Sequence, residues 1–178
     1  MLSILLSLLL ANVPSIEKSP IPRDPRPDFS SMQFLVGTWD CSIASARRPR
    51  PFAAHQMTHF SPDGYWLITR TITDPVPWNP IRITNDEYVT YDKTTHRWID
   101  MGMDDFGAYD VSASPGFRSD AMTWTEIAYP KFHGVRANEP RIFRKLSDTE
   151  TEQETALVET NGHRVEVTTT CNKRFLRR

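Results

Sequence analysis

Three small groups of residues in this sequence carry side chains able to do chemistry. His55, Met57 and His59 alternate, so a strand would present all three on one face, and two imidazoles at that spacing can ligate one metal ion or flank a haem. No third ligand at a defined spacing accompanies them, and a histidine-bearing strand face also serves solvent or internal hydrogen bonding. Asp100, Asp104 and Asp105 crowd a turn. Paired carboxylates there can do acid–base work when burial separates their pKa values, and calcium binding or plain hydration is an equal reading. The third group is Cys41 and Cys171, the two cysteines of the chain, about 130 residues apart and each on a strand-like run. A nucleophile elbow Gly-x-Ser-x-Gly, a phosphate-cradling glycine loop and a His-Glu-x-x-His zinc motif are all missing from the sequence. Whether the chain is an enzyme stays open, with a non-catalytic role favoured, and no cofactor is expected.

The elements that must position these groups are strands. Many Thr and Tyr, five Trp and repeated short alternating runs point to an antiparallel all-β fold, and no segment after residue 35 keeps a helical period. Strands are expected at 38–44, 53–60, 65–73, 86–91, 97–103, 108–113, 121–128, 141–146, 152–160 and 163–172. Ser61-Pro62-Asp63-Gly64, Asp92-Lys93-Thr94-Thr95, Asp104-Asp105-Phe106-Gly107 and Ser114-Pro115-Gly116 supply the turn chemistry between them. Ten short-linked strands with a cysteine on the first and the last predict an up-and-down barrel whose end strands lie side by side under a Cys41–Cys171 disulfide.

Strand parity extends this reading. Asn161-Gly162 reads as a two-residue type I′ turn that sets Val158 opposite Val165 and Ala156 opposite Val167 on an inward face, with Leu157, Glu159, Arg164 and Glu166 outward. Trp39, Cys41, Thr169 and Cys171 fall inward by the same count. On the next hairpin Tyr88 and Thr90 share one face, and Ile99, Met101 and Met103 lie across from Val89 and Tyr91, leaving Trp98 and Asp100 on the opposite face. A lumen of Trp, Tyr and Met with a few charges suits an apolar or amphipathic ligand, although small barrels also fill themselves with side chains. The lumen candidates are Trp39, His55, Met57, His59, Tyr88, Trp98 and Trp124. Two longer loops, 74–85 and 130–140, are placed over one mouth of the barrel.

At 178 residues the chain is one domain's length. Residues 2–11 form an apolar run too short to span a bilayer, so residues 1–15 read as a signal peptide or hydrophobic leader. Residues 16–30 hold four prolines among charges and read as a linker, with the barrel over residues 31–174. Basic and acidic residues balance at 21 against 22 with no basic stripe, which gives nucleic acid no electrostatic footing. Export to a periplasmic or extracellular space follows from leader and disulfide together, with no transmembrane span in the mature protein.

Phe34-Leu35-Val36-Gly37-Thr38-Trp39-Asp40-Cys41 resembles the opening of the calycin-like proteins grouped as the DUF1579 family. The Gly64-Tyr65-Trp66-Leu67 corner, Tyr91-Asp92 before Trp98, Asp104-Asp105-Phe106-Gly107 and the closing Cys171-Asn172-Lys173-Arg174 fit the same pattern, over residues 32–174. The resemblance implies a lipocalin-like barrel and transfers no reaction. The expected function is an exported barrel holding a small hydrophobic or amphipathic ligand. The alternative is a structural or interaction subunit, docking on partners or on copies of itself through its proline-rich arm and loops; a calycin-type enzyme or a haem or metal binder ranks below both.

Overall fold

The computed structural model describes residues 24–77, 80–128, 135–137, 139–159 and 161–175. A short 3₁₀ helix, Ser30–Leu35, precedes twelve strands: β1 (Gly37–Ser45), β2 (Phe52–Phe60), β3 (Leu67–Thr73), β4 (Thr84–Asp92), β5 (Arg97–Asp104), β6 (Tyr109–Ser114), β7 (Phe117–Arg118), β8 (Ala121–Ala128), β9 (Val135–Ala137), β10 (Arg141–Lys145), β11 (Glu150–Glu159) and β12 (Arg164–Lys173). Consecutive barrel strands pair antiparallel. The circle closes because β10 pairs with both β8 and β11, while β12 returns to β1. Ten strands make the closed wall; β7 is an appendage of β8 and β9 of β11. Closure matters physically because it leaves the wall no unpaired edge on which another chain could add.

Alternation does most of the positioning. Along β5 Trp98, Asp100 and Gly102 are buried while the residues between them are more exposed. Cys41 and Cys171 are register partners on β1 and β12 with Cα atoms 4.0 Å apart, and they are bonded. The disulfide joins the first and last strands of the barrel.

One end of the barrel is plugged by the 3₁₀ helix and the chain just before it. Phe29 and Met32 pack with Leu67, Trp98, Met122 and Trp124. Trp39 donates its indole N–H to the Leu35 carbonyl at 2.8 Å, and Lys173 Nζ donates to the Phe34 carbonyl at 2.8 Å. The end of the proline-containing arm lies against the same barrel: Tyr65 donates its hydroxyl to the Asp24 carbonyl at 2.6 Å. Both long connections, 74–83 and 129–140, join strands at the opposite end. Trp78 and His133 lie outside the described residues, as does the leader.

Two expected registers are corrected. The last hairpin closes through Glu159 N–H to His163 O at 3.0 Å and Gly162 N–H to Glu159 O at 2.9 Å, with Gly162 at φ +83°. Three residues instead of two therefore separate the bonded ends Glu159 and His163, and Gly162 accommodates the longer connection in the left-handed region that glycine favours. The slip reverses β11: Leu157 pairs with Val165 and Thr155 with Val167, while Ala156 and Val158 pair with Glu166 and Arg164 on the other face, where Ala156 is still buried. Arg164 pairs with Glu139 and Glu166, and Glu159 with Arg47 and His163. On the β4–β5 hairpin Tyr91 pairs with Trp98 and Val89 with Asp100, so Trp98 and Asp100 share the inward face with Val89 and Tyr91.

The Cys41→Ser/Cys171→Ser double variant should lose about 2–4 kcal/mol of stability in urea unfolding, the usual worth of a disulfide closing a long loop. Its far-UV circular dichroism should match that of the parent, since the β1–β12 ladder does not need the sulfur bridge to form.

Candidate functional site

Inward parity gathers a lumen with an apolar floor and a charged upper wall. Above the plug lies a cavity of about 80 Å³, lined on its apolar side by Trp39, Leu67, Val89, Met122, Trp124 and Phe143 and on its polar side by Gln56, Thr58, Thr69, Glu87, Asp100 and Arg141. Ligand pockets commonly run to several hundred Å³, so side chains fill most of this barrel and the remaining space suits a small guest.

The charged wall centres on Arg141 of β10. Its Nη1 donates to Glu87 Oε1 on β4 at 3.1 Å, and its Nη2 donates to Asp100 Oδ2 on β5 and to Ser112 Oγ on β6 at 3.3 Å. The guanidinium also lies over the Trp124 ring, 5.6 Å from its centroid. Two more carboxyl groups on the same inward parity, Asp110 of β6 and Glu126 of β8, interact electrostatically with it. Gly102 makes room for this wall, because a Cβ there would run into the Asp110 carboxylate.

Burial drives the electrostatics. Glu87 is pushed up to about 7 by loss of water and by the charge of Asp100, against the opposing pull of Arg141. Glu126 is pushed up to about 7 by burial and by Asp110, and Asp110 is raised chiefly by burial. For Arg141 burial works against the charged form, yet Asp100 and Glu87 outweigh it and hold the guanidinium above its ordinary value. Asp100 Oδ1, Glu126 Oε2 and Arg141 Nε are buried and have no hydrogen-bond partner among the described residues.

Several expected site residues are elsewhere. Trp39 and Trp124 line the cavity; Trp98 faces inward but belongs to the plug, tilted against Phe29 at 5.2 Å and edge-to-face with Tyr91 at 5.3 Å. His55, Met57 and His59 are corrected to the outer wall, because Ala54, Gln56 and Thr58 hold the inward positions of β2. Tyr88 is likewise on the outer wall, edge-on to Trp66 at 6.5 Å. The outward His55 bonds Asp40 Oδ1 at 2.9 Å and approaches Asp74 Oδ2 at 3.3 Å, a surface ion-pair chain rather than a lumenal ligand set. Of the aspartates near the turn, Asp104 accepts the Phe106 and Ala108 backbone N–H groups at 2.9 and 3.0 Å and so shapes the loop, whereas Asp100 alone enters the lumen. Among the described residues no three His, Cys, Asp or Glu side chains gather to hold a metal ion.

Glu87, Asp110, Glu126 and Arg141 were not among the expected site residues. Their signal is parity: Glu87 precedes Val89 by two, Asp100 follows Trp98 by two and Glu126 follows Trp124 by two, each a charged residue on an aromatic or aliphatic inward face.

The fold and site define a closed, ten-stranded antiparallel β-barrel with a charged lumen. Among solved structures the chain is similar to a DUF3598-family protein of unknown function from Nostoc punctiforme PCC 73102, with 11% identity and a TM-score of 0.51 over 88% of this chain and 53% of that one. The chain thus spans about half the length of that protein. It is also similar to EF1p2_mFAP2b bound to DFHBI, at 13% identity and a TM-score of 0.41, covering 80% of this chain and 96% of that one. At 11% identity the likeness to the DUF3598-family protein is one of fold. No family model matches the chain, and no curated protein does.

Arg141→Met should destabilise the protein by about 3–5 kcal/mol at pH 8, because it leaves buried carboxylates uncompensated, and by less at pH 5, where Glu87 and Glu126 take up protons. The raised carboxyls also set a pH slope. A glutamate near 7 in the folded chain and 4.5 unfolded holds its proton only when folded between those values. The stability it contributes is present below about 4.5 and is lost as pH rises through about 7. Urea midpoints should therefore fall from pH 5 to pH 8, and Glu126→Gln should flatten that fall.

Proposed function

We propose that this protein is an exported barrel that takes a small amphipathic ligand into its lumen. The observation that carries the reading is the cavity itself, in which an apolar floor of Leu67, Met122, Trp124 and Phe143 meets hydrogen-bonding groups at Glu87, Asp100 and Arg141. A filled core has no use for an unpartnered carboxylate oxygen at such a boundary, since leaving a buried acceptor unpaired costs about 1–3 kcal/mol. Export is supported by the Cys41–Cys171 disulfide and by the apolar residues 2–11, and no helix among the described residues is long and apolar enough to cross a membrane. The Gly37-Thr38-Trp39 opening and its companion motifs support kinship with the DUF1579 family.

A second reading, a partner-binding or self-associating module, draws on the outer wall. Met103, Tyr109 and Ile127 on β5, β6 and β8 are 46%, 52% and 58% exposed. The proline-rich arm supports it less, because residues 24–29 already dock on their own barrel through Asp24 and Phe29.

A native mass spectrum of the chain purified from its own source should show a mass without the leader, two hydrogens light, with a small molecule released on denaturation. Thr69→Phe, which fills the cavity, should remove that adduct while leaving the fold. An intact leader, free thiols and no adduct would overturn the exported binding barrel, and stable protein partners in the same spectrum would establish the interaction module in its place.

A further inference from the structure

Resting on the lumenal reading, we infer that the ligand is an organic cation: a small primary or secondary amine whose ammonium enters the carboxylate wall while its short apolar body lies along Trp124, Met122 and Leu67. The first ground is charge. Four inward carboxyl groups, Glu87, Asp100, Asp110 and Glu126, surround a single guanidinium, and Asp100 is itself only 3% exposed. An anionic ligand would add a further negative charge to a wall that already repels its own.

The second ground is hydrogen-bond inventory. A lumenal arginine serves as an anion receptor when its fork is free, but here Nη1 and Nη2 are taken by Glu87, Asp100 and Ser112. What the wall lacks is donors: Asp100 Oδ1 is a buried acceptor with no partner among the described residues, and Glu126 Oε2 is a second when Glu126 is ionised, against one unmet donor at Arg141 Nε. Asp100 lines the cavity, so its empty acceptor is available to a guest. An ammonium carries several N–H donors and no acceptor, and its charge-assisted bonds to carboxylates are among the strong ones. A hydroxyl offers one donor, and a carboxylate none.

Binding should also move protons. Carboxyls held near 7 are partly protonated at neutral pH, and a cation placed among them favours their ionised form. Amine uptake therefore releases protons, and its affinity should rise between pH 6 and pH 8, a range over which an alkylamine stays charged.

The test uses the full chain and three isosteric probes, n-butylamine, n-butanol and butyrate, titrated with tryptophan fluorescence and amide chemical shifts as readouts. Butylammonium should bind at least about tenfold more tightly than butanol, the worth of one charge-assisted hydrogen bond, with butyrate weakest. Its affinity should climb with pH, and Asp100→Asn and Glu126→Gln should each weaken the amine while sparing butanol. Should Asp100→Asn fail to fold, Glu126→Gln and the probe ranking still decide. Butanol or butyrate binding as tightly as the amine would overturn the cation assignment and leave the lumenal site standing; no binding by any probe would overturn both.

Discussion

The placement of one guanidinium inside a closed barrel constrains most of this structure. Arg141 stands on β10, yet its partners come from β4, β5 and β6, so its ion pairs span the lumen. A charge buried this far requires compensation, and the wall supplies it through Glu87 and Asp100. Gly102 is small because Asp110 needs the space, and the Trp124 ring lies beneath the cation, 5.6 Å from centroid to guanidinium carbon. The cluster forms the polar boundary of the cavity, with the aromatic plug below it.

Closure makes the cluster possible. A ten-stranded wall without edges keeps water from the flanks, and the bonded pair Cys41–Cys171 ties the strands where the chain begins and ends its circuit. The 3₁₀ helix shuts one mouth through Phe29, Met32 and the Trp39 indole bond. In that shielded space, loss of hydration outweighs the attraction of Arg141 for Glu87 and Glu126, which pushes both toward neutrality. The interior is thus poised to exchange protons for a positively charged guest.

The architecture could be read from residue order, because barrel closure leaves marks at both chain ends: Gly37-Thr38-Trp39 before the first cysteine, Val165 and Val167 before the last, and turn residues at regular intervals. Faces were harder. Parity is a one-residue quantity, and the longer connection that Gly162 accommodates puts Ala156 and Val158 on the other face. His55 and His59 drew attention as ligands because histidine is versatile, but their strand already had Gln56 and Thr58 for the lumen. The carboxylate cluster was hidden for another reason. Its members lie on five strands between residues 87 and 141, and only the closed topology brings them to one wall.

The central claim is that Glu87 and Glu126, stripped of water inside the barrel and only partly offset by one arginine, retain protons at neutral pH. Carboxyl-carbon NMR titration of the isotopically labelled protein, with Glu87→Gln and Glu126→Gln used to assign the signals, measures this directly. The account predicts two glutamates titrating near pH 7, well apart from the exposed glutamates. Titration of both near 4.5 would mean a hydrated, open interior and would contradict the charged lumen described here.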